Sequence, residues 1–297
     1  MIDTHTHLDG EEFREDLPEV ISRAREAGIT QVFVPAIDLK SCDTVLSLCR
    51  QYPDYARPML GLHPEEVRSD WREVLSAIKE KIIRGKESIL LPPAPSCAPE
   101  VLRRFAEVSL PPNNLSSCSL PLAPCPSSVI AIGEVGLDYY WSREYEREQI
   151  EAFEEQVRWS VEMRLPLMIH CRKAQNEMVS LLKHYKDDLP GGVFHCFTGN
   201  EREALELLQF DRFVLGIGGV LTFKKSHLPE VLPQVVPLSR IVLETDSPYM
   251  APVPHRGGRN ESAYVVEVAR RLAEAYGVSL EEISSVTDAN VRRVFSV

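Results

Sequence analysis

PLMIHCRKAQNEMVSLLKHYKDDLPGGVFHCFTG, residues 166–199, contains the unit from which the fold can be read. Pro166 to His170 is a short apolar run that ends on an imidazole. Gln175 to His184 then places Met178, Val179, Leu181 and Leu182 at the three- and four-residue spacing of a helix face. After a Pro-Gly-Gly turn, Val193 to His195 is a second short apolar run, and it too ends on an imidazole. Two strands joined by a helix must run parallel, and a parallel sheet is covered by helices, so its strands read as uninterrupted apolar runs.

The same alternation continues in both directions. It predicts strands at Ile2 to His5, Gln31 to Pro35, Arg57 to Leu62, Val129 to Gly133, Pro166 to His170, Val193 to His195, Phe213 to Ile217 and Ile241 to Thr245. Amphipathic stretches at Asp16 to Ala27, Ser41 to Gln51, Glu144 to Glu162, Gln175 to His184, Glu201 to Leu208 and Ser262 to Ala275 predict helices between them. Successive strand starts are 29, 26, 72, 37, 27, 20 and 28 residues apart. A barrel of alternating strands and helices uses about 30 residues per unit, so the expected architecture is a single TIM-like (β/α)8 domain over residues 1–297. The long interval holds residues 86–127, with nine of the chain's 22 prolines and three of its seven cysteines. Proline that dense excludes a central strand, so this Pro/Ser/Cys-rich segment reads as a mobile insertion between strands 3 and 4, with one short helix near Glu100 to Val108.

The net charge of −11 argues against a protein that coats duplex nucleic acid with a general basic surface; any such contact must be local. There is no apolar run near the length that spans a bilayer, so no membrane partner is expected. The odd cysteine count without CxxC spacing, in a chain opening MIDTHTHLDG, predicts reduced thiols and an intracellular, non-secreted protein of cytoplasm or nucleus.

Candidate chemistry collects at the strand ends. His5 and His7 form an HxH at the end of strand 1, and strand alternation puts both rings on one side. Glu134 follows strand 4, His170 and His195 close strands 5 and 6, and Asp246 follows strand 8. Any one of these is unremarkable alone, as a satisfied polar residue or a helix N-cap. Together they place four imidazoles and two carboxylates on the rim that carries active sites in such barrels. Imidazole nitrogen with carboxylate oxygen suits Zn, Mn or Mg, and no cysteine spacing suggests a closed structural zinc. Cys171 and Cys196 adjoin ligands but by alternation should face away, as packing residues.

MIDTHTHLD, GLHPEE, IGEVGLDYY, MIHCRKA, FHCFTGN and LETDSPYMAP together resemble the TatD-type deoxyribonucleases, metal-dependent hydrolases of the amidohydrolase superfamily, over the whole chain except roughly residues 86–127. The resemblance implies two divalent ions, one held by His5, His7, Glu134 and Asp246 and the other by the shared Glu134 with His170 and His195. It implies phosphodiester hydrolysis in DNA, by 3′ to 5′ exonuclease action on single strands, with single-stranded ends as the partner. No obligate protein partner is inferred, and a monomer is expected. Asp246 is the candidate general base and Glu134 the bridging catalytic carboxylate. His63, Arg172, Arg256 and Arg259 are candidate phosphate contacts, each arginine weighed against an ordinary surface salt bridge. Glu244, alternating with Asp246, is expected to orient an imidazole or water. A tyrosine of the Asp138–Tyr140 loop could stack on a base, though packing is the commoner role; His184 and His227 read as surface residues. Family members often read RGKRNEP where this chain has HRGGRNES at 255–262, so Gly258 and Ser262 replace a lysine and a proline. Two other readings stay open: another hydrolysis on the same site, such as D-aminoacyl-tRNA deacylation, and a non-catalytic protein that binds a partner through the insertion.

Overall fold

Eight short apolar runs pair in chain order, every neighbour parallel: β1 Ile2–Asp3, β2 Gln31–Pro35, β3 Ala56–Leu60, β4 Ala131–Asp138, β5 Leu167–Arg172, β6 Gly192–Phe194, β7 Phe213–Ile217 and β8 Ile241–Leu243. The computed structural model describes residues 1–87 and 128–297. The seam between β8 and β1 is joined by Thr4 N donating to Leu243 O (3.0 Å), Asp246 N to His5 O (2.9 Å) and His7 N to Ser247 O (2.8 Å). The sheet is thereby a nearly closed, TIM-like barrel, as the alternation predicts.

Nine helices lie outside it among the described residues: α1 Leu17–Glu26, α2 Leu39–Gln51, α3 Trp71–Glu87, α4 Glu146–Met163, α5 Gln175–Lys183, α6 Glu201–Leu207, α7 Leu228–Val235, α8 Val265–Tyr276 and α9 Leu280–Phe295. Six match expected helices to within a few residues, and α3, α7 and α9 are additional. Asp38 and Asn200 cap α2 and α6 through side-chain bonds to Ser41 N (2.6 Å) and Glu203 N (3.1 Å), satisfying amides with no intrahelical partner. The expected insertion at 86–127 begins inside the last turn of α3; the rest of it, 88–127, lies outside the described residues.

Two apolar layers hold the architecture. The larger one fills the space between strands and helices. The smaller one fills the barrel and takes one residue from each strand: Ile2, Phe33, Met59, Ala131, Met168, Val193, Val214 and Val242. Val291, Val294 and Phe295 of α9 close that layer, with Phe295 edge-on to Phe33 at 4.8 Å. These residues also set the direction of the rim. Because side chains alternate along a strand, two residues beyond Met168 and Val193 come His170 and His195, and two and four beyond Val242 come Glu244 and Asp246.

Candidate metal centre

Glu134 is the hub, and its position departs from the sequence expectation. It does not follow β4; it lies within it, because the strand runs on to Asp138. The pairing of β4 with β5 slips between Ile132 and Val135, a bulge that turns Glu134 off the simple alternation and toward the axis. The flanking glycines make this possible. Gly136 has φ +146°, which favours glycine, and a Cβ there would overlap the carbonyl of His170.

Around Glu134 stand five imidazoles. Glu134 Oε2 is 3.2 Å from His5 Nε2 and 3.7 Å from His7 Nε2, while Asp246 Oδ1 is 3.8 Å from each of the same nitrogens. The two nitrogens are 3.3 Å apart. The other oxygen, Oε1, is 3.1 Å from His170 Nδ1, 3.4 Å from His63 Nε2 and 3.9 Å from His195 Nε2. His195 Nε2 is also 3.7 Å from Asp246 Oδ1, and its ring stacks on His5 at 3.6 Å. Four ligands about 2.1 Å from a tetrahedral ion lie about 3.4 Å from one another, so the first group has the spacing of one ion's donors. Two neutral imidazole nitrogens 3.3 Å apart need a proton or a cation between them, and His5, His7, Glu134 and Asp246 present a donor set suited to a cation. The residues therefore fit a divalent cation, with Glu134 offering one oxygen to each side.

The electrostatics are those of buried ligands. Burial pushes His5 well below its usual value and His7 down to about 4, so both are neutral donors. Burial would raise the Glu134 carboxyl, but His5, His63 and His170 outweigh it and hold it well below the carboxylate range. Burial, with the Glu134 and Glu244 carboxylates, raises Asp246 to about 7. Against burial, Asp138 and Glu134 raise His170 to about 9, while Glu244 and Asp246 raise His195 to about 10.

Supporting carboxylates fix the ring orientations. Glu244, fully buried, accepts from Cys196 N at 2.6 Å through Oε1 and lies 3.1 Å from His195 Nδ1 through Oε2, an ion-pair contact short of a directional hydrogen bond. Gly216 leaves the space it fills, since a Cβ there would overlap the Glu244 carboxylate. Asp138, expected in a loop beside two tyrosines, is instead the last residue of β4, and its Oδ2 is 2.9 Å from His170 Nε2. Asp3 accepts from Thr245 N (2.9 Å), Thr245 Oγ1 (2.7 Å) and His5 N (3.3 Å), tying together the segments that carry His5 and Asp246. Sequence reasoning missed Asp3, although DTHTH places a carboxylate two residues before a ligand.

A cleft of about 810 Å³ opens over the centre, and His63, Arg172 and Asp246 line it. Arg172 stands at its mouth with its guanidinium 3.6 Å over the Tyr140 ring. The other two arginines point elsewhere. Arg259 pairs through both terminal nitrogens with Asp16 (2.8 and 2.6 Å) and joins the segment after β8 to the start of α1. Arg256 lies 3.8 Å over Phe223. Neither lines the cleft, and its described lining also lacks Gly258 and Ser262, the latter buried beside Asp3. Cys171 and Cys196 differ from expectation and line the cleft; Cys196 follows the end of β6 with φ 49°, where alternation no longer applies, whereas Cys171 lies within β5. Burial raises both thiols, Cys171 to about 12, so neither is a thiolate at neutral pH. His184 and His227 are exposed, as expected.

Comparison with known proteins agrees with this geometry. The family described as TatD related DNase matches residues 2–296. The chain is 32% identical over 297 residues to the uncharacterized metal-dependent hydrolase YabD of Bacillus subtilis, covering 100% of this chain and 99% of that protein. It is 30% identical over 300 residues to the 3′-5′ ssDNA/RNA exonuclease TatD of Pectobacterium carotovorum, with 99% of each covered. The crystal structure of YjjV, a TatD homolog from Escherichia coli K12, superposes with a TM-score of 0.77 at 26% identity, covering 100% of this chain and 98% of that one. With a barrel rim of imidazoles grouped about one buried carboxylate and a match that runs nearly end to end, the chain belongs to the TatD-related DNase family of metal-dependent hydrolases.

Proposed function

We propose that residues 1–297 form one catalytic domain that holds two divalent ions, of Zn, Mn or Mg type, and hydrolyses phosphodiester bonds of single-stranded DNA from the 3′ end. His5, His7, Glu134 and Asp246 hold one ion, and Glu134, His170 and His195 hold the other. The observation that carries this reading is the division of Glu134, Oε2 toward His5 and His7 and Oε1 toward His170, His63 and His195. When bound, such a pair supplies Lewis acidity and an activated water for in-line displacement at phosphorus.

The chain's own residues do the rest. Asp246, with its carboxyl raised to about 7 and Oδ1 facing the centre, accepts the proton of the attacking water. Glu244 and Asp138 hold the His195 and His170 rings in place. His63 and Arg172 face the cleft as donors to the phosphate oxygens. Arg256 and Arg259 are withdrawn from that role by their positions.

The name of the Pectobacterium relative, together with this site, supports a single-stranded nucleic acid substrate. Within the family, the motif resemblance supports kinship with the animal TatD domain-containing protein 3. It acts as a monomer without an obligate protein partner, and inside the cell, where its four described cysteines stay as free thiols. Among the described residues no helix is long and apolar enough to cross a membrane. The test is digestion of 5′-labelled single-stranded DNA by the Mn- or Mg-loaded protein. A ladder shortening from the 3′ end is expected. Intact DNA beside hydrolysis of a D-aminoacyl-tRNA ester would overturn the substrate assignment and leave the metal centre standing.

A further inference from the structure

Six large apolar side chains are exposed among the described residues, and three are aromatic: Tyr140 (49%), Trp141 (67%) and Tyr249 (57%). All three stand beside the metal cleft. Trp141 and Tyr249 line it, the former just after β4 and the latter after β8, which lie across the barrel from each other. Tyr140 lines a second cavity of about 850 Å³ that shares Arg172, His195 and Thr198 with the cleft and so runs on from it. The platform is built rather than loose. Trp141 packs edge-on to Tyr140 at 4.8 Å, and the Arg172 guanidinium lies 3.6 Å over Tyr140 and 5.4 Å from Trp141.

The second cavity also collects cations in a chain of net charge −11. Arg143, Lys173 and Arg202 line it alongside Arg172; Arg143 also pairs with Glu146 at 3.4 Å, while Lys173 and Arg202 have no ion-pair partner among the described residues. Its acids are Glu177, Glu203 and Glu206, one fewer than its four cations; Glu206 accepts Gln175 Nε2 at 2.9 Å and Glu203 accepts Asn200 N at 2.8 Å. An exposed π-face beside a trough of cations has the chemistry of a single-stranded polynucleotide, with its bare bases and regular phosphates, and not of a duplex whose bases are stacked.

We propose that Trp141 is a stacking platform for a nucleobase next to the scissile phosphodiester, with Tyr249 facing it across the cleft, and that the trough of Arg143, Lys173 and Arg202 carries the phosphates of the rest of the strand. The assignment rests on the nuclease reading and adds to it how the strand is gripped.

Tryptophan fluorescence tests it directly, because Trp71 and Trp159 are buried and Trp141 is the exposed member of the chain's three. The metal-free protein in EDTA is titrated with a ten-nucleotide oligo-dT and with an abasic strand of the same length. The expected result is quenching by oligo-dT, little by the abasic strand and none in Trp141→Phe. In the Mn-loaded protein, Trp141→Ala lowers kcat/KM on single-stranded DNA by about 5- to 150-fold, the range found for one base stack, and Trp141→Phe restores most of it. Replacing Lys173 and Arg202 together by alanine lowers the slope of log affinity against log salt by about 1.4. Thermal melting of each variant checks folding. Unquenched fluorescence with equal kcat/KM for Trp141→Ala, while the protein still digests DNA, overturns the platform alone. A metal-loaded protein that neither binds nor digests the strand overturns the nuclease reading and the platform with it.

Discussion

Replacing Glu244 by glutamine removes one charge and changes one atom from acceptor to donor beside His195. In the native protein Oε1 takes the amide of Cys196 at 2.6 Å, and Oε2 faces His195 Nδ1 at 3.1 Å. When His195 Nε2 binds a metal, its proton sits on Nδ1, within ion-pair distance of Oε2. In Glu244→Gln the amide oxygen keeps the Cys196 bond, which turns the NH2 toward that N–H, donor against donor. Loss of a carboxylate behind a metal-bound imidazole weakens metal affinity by about 10- to 100-fold, or about 1–3 kcal/mol. The pH dependence changes as well. His195 titrates at about 10 in the metal-free protein, because Glu244 and Asp246 overcome the effect of burial. At pH 7 it is therefore charged and must release a proton on binding metal, so native affinity rises with pH, by up to tenfold per unit for this proton. Without Glu244 the His195 pKa falls and the slope flattens by up to one proton. Chelator-competition titrations between pH 6.5 and 8.5 measure both quantities. Unchanged affinity together with an unchanged slope would refute the coupling of Glu244 to the centre.

Three further substitutions give distinct outcomes. Asp3, fully buried, is raised to about 7 by desolvation; a carboxyl whose folded pKa exceeds its unfolded value contributes stability below about pH 4 that is lost as pH climbs through 7, roughly 4 kcal/mol in full. Asp3→Asn should therefore melt with a flatter pH profile between 4 and 7 than the native protein, followed calorimetrically in EDTA. Arg259→Ala breaks a part-exposed pair with Asp16, so about 0–1 kcal/mol of stability and no change in kcat are expected, whereas Arg172→Ala should raise KM or lower kcat at unchanged melting temperature. Gly136→Ala puts a methyl into the His170 carbonyl at φ +146°, and the measurable result is a lower melting temperature with metal content reduced in the fraction that folds.

The strands were legible because parallel strands buried on both faces announce themselves as apolar runs. His170, His195 and Asp246 were legible because alternation holds from the barrel interior to the rim in β5, β6 and β8. Where alternation fails, the sequence pattern misleads. The bulge in β4 moved Glu134 into the strand and brought Asp138 onto His170, and the left-handed backbone at Cys196 turned its thiol to the cleft. Arg259 shows a second limit: its partner Asp16 is 243 residues away, and nothing local to the RGGRN segment indicates that pairing. Helix α9 went unread although LEEISSVTDANVRRVF carries an amphipathic pattern, and its Val291, Val294 and Phe295 fill the open end of the barrel. His63 was readable as inward-facing from Met59, four residues back, but only the fold shows it nearer Glu134 than His195 is.

One carboxylate serving two ions is the central proposal. Its most direct test is the metal content of the native protein and of Glu134→Ala by plasma mass spectrometry after equilibration with Mn or Zn and gel filtration, with circular dichroism to show that the variant is folded. Two ions per chain in the native protein and loss of both in the variant are predicted. A native protein that holds a single ion, or a folded variant that keeps one of two at full occupancy, would contradict the bridge.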